Sequence, residues 1–370
     1  MTALQAEALE LAQGRAPTPT ELERVGQAVS PEAARWAFEQ WSLRERAKAK
    51  FSRAAEMLFE REALEQATSE VLARYHAARF PEGVLVVDLT SGIGGDAMGL
   101  AERGPVLAFE RNPVRAEILR HNLDLVDPDS VVVEGDALDG AWEFEYAIAD
   151  PARRVGGRRT LDPEAFVPDP VAVANRMRTL KLGLIKLSPM LSDAVLEALG
   201  VGLEFVGRRG ECSEVLVLCG SEAAAGRWAV LADTGERLEA GPMPHVGEIH
   251  RFLFDAHPCA VRAHALGALA SAYDLVAVGV APGYLTGPTR LESPWLRTYE
   301  VIEVLPFDRK RVKQRVRELG GRVQELKARG HRLDADEERK RLDPGGVEPL
   351  TIIVIPGESG IRAALCRRTT

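Results

Sequence analysis

The run Val84-Leu-Val-Val-Asp88, followed at once by Leu-Thr-Ser-Gly-Ile-Gly-Gly-Asp96, constrains this chain more than any other feature. A short, continuous apolar run predicts a strand buried on both faces. Gly92, Gly94 and Gly95 let the backbone turn tightly and approach a ligand closely. Helical sequence follows from Asp96 to Arg103. Strand, glycine turn and helix together form the unit of an open parallel sheet that binds ligands at the carboxyl ends of its strands.

The unit recurs. Val106–Glu110, Val131–Asp136, Tyr146–Asp150, Leu182–Leu187 and Glu214–Leu218 are further short apolar runs, with helical sequence such as Pro113–Leu123 between them. Apolar strands alternating with helices predict a doubly wound, Rossmann-like α/β sheet over 81–222. Residues 1–80 read as helical, with Glu32–Trp41 and Arg53–Arg79 rich in helix formers, and Ser30 and Pro31 arranged as cap and first helical residue. Beyond Gly220 the alternation loosens. A helix candidate at His257–Ala272 and strands at Tyr299–Val304 and Leu350–Ile355 predict a separate α+β domain over 223–370.

A chain of 370 residues is too long for one ordinary core, and 46% apolar with 28% charged residues is the composition of a water-soluble protein. Apolar runs such as Leu275–Ala281 fall well short of the roughly 20 residues a membrane helix needs. Met1–Arg15 carries Glu7 and Glu10 and lacks the pattern of a signal peptide, so a cytoplasmic location is expected. Cys212, Cys219, Cys259 and Cys366 form no CxxC pair and are expected as free thiols. His245, His250, His257 and His264 are irregularly spaced, and no metal is expected.

The glycine loop is framed by acids. A dinucleotide site would show GxGxxG with pyrophosphate at the helix start. Here Asp88 and Asp96 would repel pyrophosphate and suit a ligand bearing an amino group and a sulfonium, so Thr90, Gly92 and Gly94 are expected to cradle S-adenosylmethionine in preference to NAD. A tight turn with no ligand is the alternative. Glu110, ending the second strand, can accept from ribose hydroxyls, and Asp136, ending the third, from an adenine amino group. Either acid alone could be a turn former. At the end of the fourth strand Asp150 can orient an amine, Pro151 stiffens the loop, and the cations Arg153, Arg154, Arg158 and Arg159 suit a polyanion or, alternatively, a solvated turn.

These motifs carry a resemblance. Asp88–Asp150 resembles the cofactor half of class I S-adenosylmethionine-dependent methyltransferases, and Asp150-Pro-Ala-Arg153 resembles a motif common among RNA methyltransferases. In that fold the motif faces the methyl group, which implies Asp150, Pro151 and Arg153 as catalytic residues. The block Phe59–Glu70 resembles the lead-in of trimethylguanosine synthases, which closes over the ligand and implies cofactor contacts for Gln66, Thr68 and Glu70. An ordinary capped helix start is the other reading. The whole layout is similar to bacterial methyltransferases with a helical N-terminal part and a C-terminal THUMP-like domain, on Leu319–Gly330 and Glu338–Leu342.

Two departures narrow the chemistry. After the fifth strand the chain reads Lys186-Leu-Ser-Pro-Met-Leu-Ser192, without the cysteine a uridine C5 methyltransferase needs. No aromatic follows Asp150-Pro151 to stack a target base, although a guanidinium plane at Arg153 could. The net charge is −8, yet ten Lys/Arg crowd between Arg309 and Arg332. Arg311, Lys313 and Arg315 are expected, on a helix, to meet phosphates together with Arg154 and Arg158, and a THUMP-like resemblance implies structured RNA, tRNA or rRNA, as the partner. A methyltransferase of a small metabolite or protein, and a non-catalytic RNA-binding protein with a vestigial fold, remain the competing readings.

Overall fold

The computed structural model describes all residues except 153, 156–157, 160–164, 331–332, 359 and 370, with the side chains of 154, 155, 158 and 159 also outside the described set. The chain divides into two compact units, one comprising Met1–Gly202 with Leu216–Ala225 and the other Leu203–Val215 with Gly226–Thr370.

The first unit opens with α1 (Ala3–Ala12), α2 (Pro19–Ala28) and α3 (Pro31–Ala47), packed through Ala8, Ala12, Val25, Ala34, Ala37 and Phe38. Ser30 caps α3 as its sequence predicts, its hydroxyl accepting the Ala33 amide at 3.1 Å. The helix expected over Arg53–Arg79 is instead broken into α4 (Arg61–Gln66) and α5 (Glu70–Ala77). Tertiary hydrogen bonds explain the break. The Gln40 amide pairs with both the N–H and the carbonyl of Phe59, Arg44 donates to the Met57 carbonyl, and Asn122 pairs with both backbone groups of Leu58. Buried side chains thus satisfy backbone groups that would otherwise need a helix.

The sheet is built around β1 (Val86–Asp88). Helix α6 (Gly95–Ala101) leads to β2 (Val106–Glu110), and α7 (Pro113–Asp124) to β3 (Val131–Glu134). Next come β4 (Tyr146–Ala149), a separate small hairpin of β5 (Arg154–Val155) and β6 (Arg158–Arg159), α8 (Pro170–Met177), β7 (Leu182–Leu187) and α9 (Asp193–Leu199). Strands β3, β2, β1, β4 and β7 lie side by side in that order, all parallel. Every residue of β4 and β7 is buried, whereas β3 is a half-exposed edge that stops at Glu134 and leaves Asp136 in the following loop. The order reverses direction at β1, so the carboxyl ends of β1, β2 and β4 define the ligand crevice.

The hairpin of β8 (Gly202–Arg208) and β9 (Glu211–Cys219) is divided between the units, Leu216–Cys219 lying beside β7. The second unit continues with β10 (Gly226–Leu231), β11 (Arg237–Glu239) and β12 (Phe252–Ala256). The helix expected at His257–Ala272 is two helices, α10 (Pro258–Arg262) and α11 (Leu266–Tyr273), broken where His264 takes φ +58°. Then follow β13 (Val276–Ala277), β14 (Tyr284–Gly287), β15 (Leu296–Pro306), α12 (Arg309–Glu318), β16 (Gly321–Ala328), α13 (Ala335–Leu342), β17 (Glu348–Gly357) and β18 (Gly360–Arg368). A seven-stranded sheet orders these strands β13-β14-β12-β15-β18-β17-β16, with antiparallel neighbours except for the parallel β16–β17 pair. Val312 and Val316 of α12 and Leu342 of α13 pack on Val323, Leu350 and Ile352. The basic run is therefore part helix and part strand, and Arg322 lies on β16. Among the described residues no helix is long and apolar enough to cross a membrane.

Candidate active site

The end of β1 and its loop form the floor of the site. Asp88 is buried, its Oδ1 accepts the Thr90 amide at 3.1 Å, and its Oδ2 has no hydrogen-bond partner among the described residues. Burial first, and the nearby charge of Asp96 second, push its carboxyl up to about 7. Gly92 and Gly94 adopt φ +57° and +99°, the left-handed region that L side chains avoid. The Gly92 amide donates to Glu110 Oε2 at 2.9 Å, and Glu110 Oε1 accepts the Asn112 amide at 2.7 Å. One carboxylate thus joins the loops after β1 and β2.

Helix α6 starts under the N-terminal segment. A Cβ on Gly95 would lie 2.9 Å from the Thr68 backbone, and one on Gly99 would lie 2.8 Å from that of Ala73. The glycines are required for this close approach. Asp96, also buried, accepts from Thr68 Oγ1 at 2.7 Å and from Lys186 Nζ at 2.8 Å on Oδ2, while its Oδ1 lies 2.6 Å from His76 Nδ1. Lys186 and His76 hold the Asp96 carboxyl far below the usual carboxylate range against the opposing effect of burial. Lys186 also reaches Asp150 Oδ2 at 2.8 Å and contacts the Thr68 hydroxyl. The Asp150 amide donates to Thr90 Oγ1 at 2.6 Å. Lys50 caps the end of α4, donating to the carbonyls of Leu64, Glu65 and Ala67 at 2.8, 3.0 and 2.8 Å.

These elements surround a cavity of about 630 Å³. Of the residues singled out in the sequence, Gln66, Thr68, Thr90, Gly92, Asp96, Glu110, Asp150 and Pro151 line it. Asp88 and Gly94 are not among the lining residues. Asp96 reaches the lining, but its carboxylate is engaged by Thr68, His76 and Lys186. Asp136 is not among the lining residues: it accepts the Leu138 amide and lies 3.4 Å from the Arg111 guanidinium, which does line the cavity. Glu70 is likewise absent from the lining, held by the amide and hydroxyl of Ser52 and by Arg74. Arg153 and the side chains of Arg154 and Arg158 fall outside the described residues.

The expected basic surface on α12 is neutralised only in part. Arg315 pairs with Glu303 and Glu318, Arg309 with Glu338, and Lys313 donates to the Arg341 carbonyl. Arg311 is exposed, and its side chain has no partner among the described residues. A second cavity, of about 460 Å³, lies within the second unit and is lined by Arg290, Arg297, Lys327, Arg329 and Arg368 against only Asp255 and Glu292. Sequence reading missed both this cluster and Lys186. The signal for Lys186 was available: it is a lone cation inside the apolar run Leu182–Leu187.

The comparisons with known proteins agree with this architecture. Residues 296–368 match the THUMP domain-like family. An uncharacterised S-adenosylmethionine-dependent methyltransferase of Mycobacterium tuberculosis (strain H37Rv) is 29% identical over 349 residues, covering 90% of this chain and 96% of the relative. Trimethylguanosine synthase of Schizosaccharomyces pombe is 32% identical over 71 residues, covering 18% of this chain and 30% of that protein. A candidate methyltransferase from Porphyromonas gingivalis W83 superposes with a TM-score of 0.78 at 23% identity, covering 100% of this chain and 98% of that one. The fold is therefore the methyltransferase fold. The chain is a homologue of S-adenosylmethionine-dependent methyltransferases, with a THUMP-like domain at its C-terminus.

Proposed function

We propose that this chain transfers a methyl group from S-adenosylmethionine to a base nitrogen of structured RNA, tRNA or rRNA, in the cytoplasm. The observation that carries the reading is the shared cavity into which the ends of β1, β2 and β4 deliver Thr90, Glu110 and Asp150. The residues fit the cofactor. A Cβ at Gly92 would meet no atom within 4 Å, so the loop backbone is open for close approach, and a cavity of this size suits a nucleoside-sized ligand. The Glu110 oxygens each hold one backbone N–H and keep lone pairs for ribose hydroxyls. Asp136, holding the Leu138 amide and Arg111, likewise keeps lone pairs for an adenine amino group.

When bound, the cofactor supplies an electrophilic methyl carbon on a sulfonium. The protein's part is placement. Asp150 accepts a hydrogen bond from the acceptor amine and aims its lone pair, while Pro151 keeps the loop rigid. Transfer to an amine needs no strong base, because the nitrogen becomes acidic once it is methylated. Gln66, Thr68 and the Lys50-capped end of α4 wall off the site.

RNA as substrate is supported by the THUMP-like match and by the excess of cations over acids in the second unit's cavity. Arg290 and Arg297 pair with Glu292 and Glu325 much as Arg309 and Arg315 pair with Glu338 and Glu303, so we assign phosphate contact to both surfaces, Arg290, Arg297 and Arg368 at the cavity and Arg311 and Lys313 on α12. The test is mass spectrometry of tRNA and rRNA nucleosides from a deletion strain and its parent. Loss of one methylated nucleoside is expected. Unchanged RNA, with cofactor binding intact, would instead favour a metabolite or protein substrate.

A further inference from the structure

Lys186 occupies a strand whose six residues are all buried, and its side chain is only 6% exposed. Burying an ammonium is costly unless it is paired and hydrogen-bonded. The Asp96 carboxylate, 2.8 Å away, already supplies the countercharge. Yet the ammonium also holds Asp150 Oδ2 at 2.8 Å, a second carboxylate that neutrality does not require. Asp150 is consequently gripped twice, through its amide by Thr90 Oγ1 and through Oδ2 by Lys186. Among the described residues nothing donates to its Oδ1, and the side chain is 39% exposed at the cavity wall.

We propose that Lys186 is the positioning residue of the acceptor side of this site: it turns Asp150 Oδ2 inward and leaves Oδ1 facing the cavity for the incoming amine. The proposal rests on reading Asp150 as the residue beside the transferred methyl. Its value lies in pre-organisation, since the acceptor group is in place before any ligand arrives. Thr68, Asp96 and His76 complete the support, so the N-terminal segment and the catalytic loop share one buried anchor.

Positioning and plain electrostatics predict opposite signs, which makes the proposal testable without knowing the substrate. Removing a nearby cation should strengthen the binding of a cationic ligand if charge alone matters. It should weaken that binding if Lys186 holds the acceptor oxygen in place. The experiment is titration calorimetry of the full chain with S-adenosylhomocysteine and with sinefungin, in which an amine-bearing carbon replaces the methylsulfonium. The parent should prefer sinefungin. Lys186→Met should lower that preference by about tenfold. Asp150→Asn should lower it similarly, and the two changes together should add nothing further. Lys186→Arg, which keeps the charge and displaces the donor, should also lower it and serves if the methionine variant does not fold. A stronger sinefungin preference in Lys186→Met, or an equal loss for both ligands, overturns the proposal. A parent that binds neither ligand refutes the cofactor reading itself. A parent that binds both without preference removes Asp150 from the methyl position, and the role of Lys186 falls with it.

Discussion

The amide of Gly92 donates to the carboxylate of Glu110 at 2.9 Å, and this hydrogen bond ties the glycine loop after β1 to the end of β2. Glu110 therefore shapes the site as well as facing it. Glu110→Ala removes both the ligand-facing acceptor and the brace. It should weaken S-adenosylhomocysteine binding by roughly 1.5–3 kcal/mol, the range for hydrogen bonds to a charged group. Calorimetry finding less than a twofold change would place the ribose elsewhere.

Asp150→Ala should reduce turnover by about two to three orders of magnitude, comparable to removing one pre-organised polar group from an active site. Cofactor affinity should stay within a few-fold of the parent, because Asp150 faces the acceptor. Asp150→Asn keeps an acceptor oxygen and should retain more activity than alanine. Parental rates in the alanine variant, measured once a substrate RNA is in hand, would displace the catalytic loop from this position.

Asp88 predicts a pH dependence of stability. Its carboxyl is pushed up to about 7 in the folded chain by burial and by Asp96, from about 3.9 when unfolded. Between those values the folded state holds a proton that the unfolded state has released, so stability contributed by this group falls as pH rises through the window. Asp88→Asn mimics the protonated acid. Its advantage over the parent should widen from about pH 5 to about pH 8, reaching roughly 1–4 kcal/mol in denaturant unfolding. An offset independent of pH would contradict the assignment.

Arg290, Arg297 and Arg368 line the second unit's cavity, the first two paired with Glu292 and Glu325, while on α12 Arg315 is held by Glu303 and Glu318 and Arg311 is exposed. Replacing the first three by Gln should flatten the salt dependence of RNA binding by about one log-log unit for each phosphate no longer neutralised. Replacing Arg311, Lys313 and Arg315 together should flatten it by a similar amount if α12 also meets phosphate. An unchanged slope in one triple variant would remove that surface from the phosphate contact.

The sequence by itself determined the α/β order of the first unit. Val106–Glu110 and Leu182–Leu187 form strands with the predicted bounds because a continuous apolar run has only a buried strand or helix to become, and the flanking turns forbid a helix. The glycine loop was equally legible, since Gly92 and Gly94 occupy backbone regions that other residues avoid. Tertiary structure decided what spacing does not encode. What an acid of the site meets depends on residues far away in sequence: Asp96 of α6 is held by Lys186 and His76. Likewise spacing does not show that Arg315 and Arg309 of α12 meet Glu303 and Glu338, while Arg290, Arg297 and Arg368, scattered along the chain, converge only when the sheet assembles. Local periodicity is set by backbone geometry over a few residues, whereas the pairing of charges is set by which strands become neighbours.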